Sequence, residues 1–221
     1  MLKNIFKSSI GRKILMALSG LFLISFLIVH ASVNALIFFN DKGKTFTIGA
    51  HFMATNPIIR TIEIILIFGF IIHIVQGLIL WRKNRKARSI GYSYKDNAPG
   101  VKWYSKSMTL LGTLILLFLV IHTQNFWIPN RIHQFQYGEE LPLYEMLIEK
   151  FQSPVEVVIY LIGCFSLGWH LLHGFQSAFR SLGLSHKKYN PLILKSSYGF
   201  AIIISSTLAI MPVSIYLGWI T

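Results

Sequence analysis

An all-α integral membrane bundle of five transmembrane helices is the fold this sequence predicts, and three observations predict it. Of 221 residues, 53% are hydrophobic and only 13% charged, with a mean hydropathy of +0.56, too apolar for a water-soluble helical domain of this size. Five apolar runs, at about 14–39, 58–81, 107–128, 155–179 and 193–219, reach the roughly 20 residues that cross a hydrocarbon core about 30 Å thick. Lys and Arg gather in alternate connections, a pattern that an odd number of spans produces.

The first run follows Lys3, Lys7, Arg12 and Lys13. These charges look like the start of a signal peptide, but the apolar stretch is too long for one and lacks a small-residue cleavage site, so it reads as a retained span. Asp41 to Lys44 closes it. The second run ends in Arg82, Lys83, Arg85, Lys86 and Arg88, and Asn97-Ala98-Pro99-Gly100 breaks the chain before the third. Pro142 and Ser153-Pro154 precede the fourth, where Pro154 suits a first helical turn. Asn190-Pro191 precedes the fifth. The connections at about 40–57 and 129–153 carry Phe46, His51, Phe52, Met53, Phe135, Tyr137, Leu143 and Tyr144. They predict short helices lying at the interface and capping one end of the bundle. Residues 1–221 read as a single membrane domain.

Charge sets the orientation. The N-terminus, the second connection (with Lys95, Lys102 and Lys106) and the fourth (Arg180, Lys187, Lys188, Lys195) hold most of the 21 Lys and Arg residues. The other two connections hold Lys42, Lys44, Arg60, Arg131 and Lys150 with Glu139, Glu140, Glu145 and Glu149. The N-terminus is therefore expected in the cytoplasm and the C-terminus outside. The net charge of +13 is accounted for by these loops, so nucleic-acid binding is set aside. The one cysteine, Cys164, lies in an apolar run, which excludes a disulfide framework, a cysteine zinc site and a CxxCH haem attachment.

The eight histidines are the most specific signal. His30, His73, His122 and the pair His170/His173 fall in four successive spans, whereas His51, His133 and His186 fall in connections. An imidazole buried in hydrocarbon is costly and is kept where it lines a pathway, pairs or binds a cofactor. Counted at 1.5 Å per residue from the cytoplasmic end, His30 and His122 lie about 25 and 24 Å up their helices, and His73 and His170 about 13 and 15 Å. Two pairs at matched depth result, roughly 10 Å apart. That is what bis-histidine ligation of two stacked haems requires of a four-helix bundle. Gly69, Gly77, Ala31, Gly168 and Gly174 leave room for flat porphyrin faces, or serve ordinary close packing. A zinc protease would need HExxH, which is absent. A pump or transporter would place Asp or Glu deep in the spans, whereas Glu63 and Glu156 lie near the outer ends.

Three stretches carry a family resemblance. They are Gly11-Arg12-Lys13 through Leu18-Ser19-Gly20 to His30; His51-Phe52-Met53 with Pro57 and Glu63 leading to His73; and His170-Leu171-Leu172-His173-Gly174-Phe175-Gln176-Ser177 followed by Ser181-Leu182-Gly183. Over nearly its whole length the chain resembles the membrane cytochrome b subunit of succinate dehydrogenase/fumarate reductase, in its single-polypeptide, five-helix, di-haem form. The resemblance implies two haems b, with His30 and His122 on the distal haem and His73 and His170 on the proximal one. His173, one turn from His170 and directly before a glycine, is the alternative to His170.

The resemblance further implies that succinate chemistry takes place at FAD in a separate flavoprotein subunit, with iron–sulfur clusters in a second soluble subunit. Electrons then pass through proximal and distal haems to membrane quinone, menaquinone by analogy with the two-haem form. This chain would be the membrane subunit of the enzyme, in the bacterial inner (cytoplasmic) membrane, and the whole complex could form homo-oligomers. The basic loops would dock the iron–sulfur subunit or merely set topology. Arg12, Lys13, Ser19, Ser177 and Arg180 lie at a depth to meet haem propionates or to be ordinary interfacial residues. Glu63 and His51 would serve a quinone site near the distal haem, unless Glu63 only salt-bridges Arg60. Two alternatives stand beside this reading: a di-haem anchor of another quinone-linked dehydrogenase, and a haem-free membrane scaffold or transporter with hydrogen-bonded histidines.

Overall fold

The computed structural model describes residues 8–86 and 107–220. The breaker Asn97-Ala98-Pro99-Gly100 and the basic residues Lys3, Lys7, Arg88, Lys95, Lys102 and Lys106 lie outside the described residues. Helix α1 (Ser9–Ala35) begins where the Ser8 hydroxyl accepts from the Gly11 N–H at 2.9 Å, a cap that satisfies one of the four free amide donors of a helix start. It runs into a 3₁₀ turn, Leu36–Phe39. Then follow α2 (Lys44–Thr55), α3 (Pro57–Lys86), α4 (Met108–His122), a π-helical turn (Thr123–Trp127), α5 (Ile128–Tyr137), α6 (Leu143–Lys150), α7 (Pro154–Ser181) and α8 (Asn190–Tyr216). Prolines stand in the first turns of α3, α7 and α8, where the missing N–H costs nothing.

Five stretches are long and apolar enough to cross a membrane: Ser9–Phe39, Pro57–Lys86, Met108–Tyr137, Pro154–Ser181 and Asn190–Tyr216. They coincide with the five expected runs. The short helices expected beside the first and fourth spans are present as α2 and α6. One boundary moves. The third helical stretch does not stop near residue 128 but continues through the π turn and α5 to Tyr137. The reason lies in Pro129, whose ring crowds the carbonyl of Asn125 four residues back and which has no N–H to donate. A wider π turn at 123–127 opens the helix there and lets it continue.

Helix α1 packs against α3, α7 and α8, and α7 packs also against α4 and α8. The resulting order is α3, α1, α7, α4, with α8 laid against α1 and α7. Two of the small residues serve this packing directly. A Cβ at Gly69 would lie 2.8 Å from the Phe22 ring, and one at Gly168 2.8 Å from Ser205 Oγ. At Gly174 there is nothing within 4 Å. Helix α3 is the loosest member, with no buried residue along its length.

At the end opposite to the basic residues, α2 and α6 cap the bundle. Ile37, Phe46, Tyr144, Leu147, Phe151 and Ile215 form one buried cluster there, with Phe151 wholly enclosed. Gly43, at φ 74°, lies so flat against the Tyr144 ring that a Cβ would come within 2.2 Å of Cγ. Only glycine suits both that backbone and that contact.

A charged clamp ties α3 to α5 at the same end. Glu63 Oε2 accepts from Arg60 Nη1 and Arg131 Nη2, each at 2.7 Å, and Oε1 accepts from Arg131 Nε at 2.8 Å and Trp127 Nε1 at 2.5 Å. Arg131 thus grips the carboxylate with both prongs of its guanidinium, the strongest form of such a pair, and also donates to Gln134. Both side chains are less than a fifth exposed, so losing Arg131 leaves a largely buried carboxylate to Arg60 and Trp127 alone. Arg131→Ala should lower stability by about 3 kcal/mol, read as a fall in the thermal midpoint of the purified protein. Arg131→Lys should recover only part of it, because an ammonium lacks the fork.

Asp41 caps the start of α2, where its carboxylate accepts from Thr45 Oγ1 at 2.5 Å and Thr45 N–H at 3.0 Å. These bonds, the hydroxyl first, hold the Asp41 carboxyl below the usual carboxylate range. A depressed folded value means that the contribution is present above the unfolded value of about 3.9 and is lost as pH falls through the folded one. Amide exchange over residues 44–49 should therefore gain protection between pH 3 and pH 6 after correction for intrinsic rates. In Asp41→Asn this gain should be absent.

Candidate functional site

The four span histidines come together in two pairs. His30 on α1 and His122 on α4 have ring centroids 5.7 Å apart with planes at 89°. His73 on α3 and His170 on α7 are 6.2 Å apart at 69°. In the order α3, α1, α7, α4, each pair skips one helix, so both lie across the bundle. Two metal–imidazole bonds of about 2 Å, one on each side of an ion, put ring centres about 6 Å apart. Both separations suit an ion held between facing rings.

The surroundings of the pairs fit a flat cofactor. A Cβ at Gly20 would lie 3.4 Å from His73 Cε1, and one at Gly112 3.7 Å from His170 Cε1. Aromatic rings flank the other pair, Phe26 beside His30 at 5.4 Å and Phe118 stacked on His122 at 5.7 Å. His170 Nδ1 is buried without a hydrogen-bond partner, which costs free energy in a haem-free, hydrogen-bonded scaffold. Among the described residues no three His, Cys, Asp or Glu side chains gather as a metal site. Paired imidazoles with small and apolar neighbours therefore fit haem, which needs only two axial ligands from the protein.

Polar side chains hold these rings from outside. Ser19 Oγ lies 3.1 Å from His73 Nδ1 and donates to the Met16 carbonyl at 3.1 Å. The Tyr160 hydroxyl lies 3.5 Å from His122 Nδ1. Asn125 donates to both the Tyr160 oxygen and Glu156 Oε2 at 3.2 Å. Asn34 Nδ2 approaches His30 Nε2 at 3.4 Å while donating to the His30 carbonyl at 2.8 Å. The connection histidines have local contacts: His186 Nδ1 accepts from the Lys188 N–H at 3.2 Å, and His133 packs on Tyr137 at 4.8 Å.

Of the remaining expected residues, His173 lies half-buried one turn beyond His170, which is the ring facing His73. Arg12 is half-buried and Lys13 exposed in the first turns of α1. Ser177 is half-buried near the end of α7, and exposed Arg180 donates from Nε to the Gln176 carbonyl at 3.3 Å. Glu63 is in the clamp with Arg60, as weighed from the sequence, and with Arg131 and Trp127, which the sequence did not suggest. His51 is a surface residue with Nδ1 3.1 Å from Glu140 Oε1. Tyr160, Asn125 and Gly112 were not singled out either, and Gly20 entered only within the Leu18-Ser19-Gly20 stretch. Asn125 and Tyr160 did carry a signal, since each puts a polar group into or beside an apolar run, but that cost is smaller than a histidine's.

No protein-family model matches the chain, and no solved structure matches it. Among characterised proteins it is similar to the succinate dehydrogenase cytochrome b558 subunit of Bacillus subtilis (strain 168), at 31% identity over 156 residues that cover 69% of this chain and 69% of that protein. With five spans in place and its histidines paired across the bundle, the chain belongs to the family of succinate dehydrogenase cytochrome b membrane subunits.

Proposed function

We propose that this chain is the di-haem b membrane anchor of a succinate:quinone oxidoreductase, taking part in electron transfer between the iron–sulfur subunit and membrane menaquinone. The observation that carries the reading is the pairing of four span histidines into two facing sets in a chain of this family. Haem b, when bound, supplies one-electron transfer. His30 and His122 hold one such group toward the capped end, and His73 and His170 hold the other toward the basic end. The apolar rings of Phe26 and Phe118 and the lipid-embedded spans keep water from the imidazoles, each of which has a ring nitrogen with a lone pair to offer iron.

The basic end carries Arg82, Lys83, Arg85, Lys86, Arg180, Lys187 and Lys188, which are exposed. It faces the cytoplasm in this reading and docks the iron–sulfur subunit, itself joined to the flavoprotein. Arg12, Lys13, Ser177 and Arg180 supply cations and a hydroxyl at the depth of the nearer haem's propionates. The capped end serves quinone. There His51, two-thirds exposed and beside Glu140, is positioned to exchange protons with water, whereas Glu63 has both oxygens engaged and acts as a rigid wall.

Reduced-minus-oxidised spectra with pyridine haemochrome quantification test the reading. About two haems b per chain are expected, and none in a folded protein would end it in favour of the scaffold. In single variants, His30→Ala and His122→Ala should each remove the same haem and leave the other's spectrum largely intact. His73→Ala and His170→Ala should each remove the second. His173→Ala should spare both; loss of the second haem there would move the ligand from His170 to His173.

A further inference from the structure

The two imidazoles of the basic-end pair are held unequally. His170 Nδ1 is buried without a partner, whereas His73 Nδ1 faces the buried Ser19 hydroxyl at 3.1 Å. A hydroxyl has one proton, and that of Ser19 is directed to the Met16 carbonyl of its own helix at 3.1 Å. Its oxygen is then left to accept. We propose that Ser19 is a positioning residue for His73: it accepts the Nδ1–H proton, fixes that tautomer and leaves Nε2 as the iron-binding nitrogen. This rests on the reading of His73 as a haem ligand.

Both bonds of Ser19 are intelligible from the sequence. A serine within a helix bonds readily to a carbonyl one turn back, and here it does so on the face of α1 that meets α3. Gly20, next in the chain, also faces the ring, with its Cβ position at an ordinary contact distance of 3.4 Å from His73 Cε1. The chemical consequence follows from the direction of the bond. An imidazole that donates from its far nitrogen is a stronger ligand, which favours oxidised iron and lowers the reduction potential of the group it binds. In a low-dielectric interior such a bond counts for more than in water. Ser19 is thereby already committed, and has no second proton to offer a propionate.

The test uses the assembled complex with Ser19→Ala and Ser19→Thr. Haem content, redox titration of each haem band and low-temperature spin-resonance spectra of the oxidised haems are recorded over several pH values. Ser19→Ala is expected to keep two haems and, at fixed poise, to shift the reduced-to-oxidised ratio of the His73 haem about threefold to tenfold toward reduced, about 30–60 mV for one electron. Its axial-ligand signature should change while the other haem stays constant. Ser19→Thr should restore both. An unchanged potential and ligand signature in Ser19→Ala would overturn the proposal. So would a change confined to the pH slope, which puts Ser19 on a propionate, or equal loss of that haem in Ala and Thr, which makes it a packing residue. Absence of haem from the unmodified complex would instead defeat the ligand reading itself.

Discussion

An imidazole placed in hydrocarbon must be answered, and most of this structure is arranged around that demand. Water is not available to satisfy the two ring nitrogens, so each of the four central histidines needs a metal, a hydrogen-bonding neighbour or both. Facing rings across the bundle meet one half of the requirement. Ser19 meets the other half for His73, and Tyr160, weakly at 3.5 Å, for His122. The depth of each histidine along its helix is therefore under constraint: a shift of one residue turns the ring about 100° away from its partner.

Close helix packing reaches the level of the rings, since Phe118, which stacks on His122, and Gly168, two residues before His170, are both points of close approach. Helix α7 makes close contact with α4 through Gly163, where a Cβ would come within 2.6 Å of the Phe118 ring. It meets α8 at Gly168 in the same way. Helix α3, which carries His73, has no buried residue, and it is tied at its start by the Glu63 clamp instead. One enclosed apolar cluster sits at the capped end, and a second, with Ala31, Leu111, Leu171 and Leu172, lies beside His30 and His170. Rigidity is thus supplied from the capped end, from α7 and from the packing beside the rings.

The sequence made the spans and the pairs legible for the same reason. A run of apolar residues and a buried imidazole are both expensive to place anywhere but in a membrane helix with a partner, so each leaves a mark that chance rarely makes. The rise per residue then sorts His30 with His122 and His73 with His170 without reference to any contact. What stayed hidden were interactions set by helix rotation. Whether Ser19 looks at a propionate or at His73, and whether Arg131 on the third helical stretch can reach Glu63 on the second, depend on angles that spacing alone does not supply. The extension to Tyr137 was missed because the apolar run ends near residue 128, and the π turn that carries the helix past Pro129 has no distinct sequence signal.

That π turn also explains how one helical stretch serves three neighbours. Just before it, His122 faces the α1 histidine; within it, Asn125 reaches Tyr160 and Glu156 on α7, while Trp127 reaches Glu63 on α3. Arg131, a turn later, takes the same carboxylate. In the order α3, α1, α7, α4 the last and first helices must meet for the bundle to be a ring, and at the capped end they do so through these polar ties. A closure made of a bidentate ion pair and an indole N–H fixes the distance between α3 and the third helical stretch at one level without requiring apolar contact along their length. Between that clamp and the basic end, α3 packs on α1 where Gly69 lies against the Phe22 ring, and clamp and packing together bring His73 opposite His170.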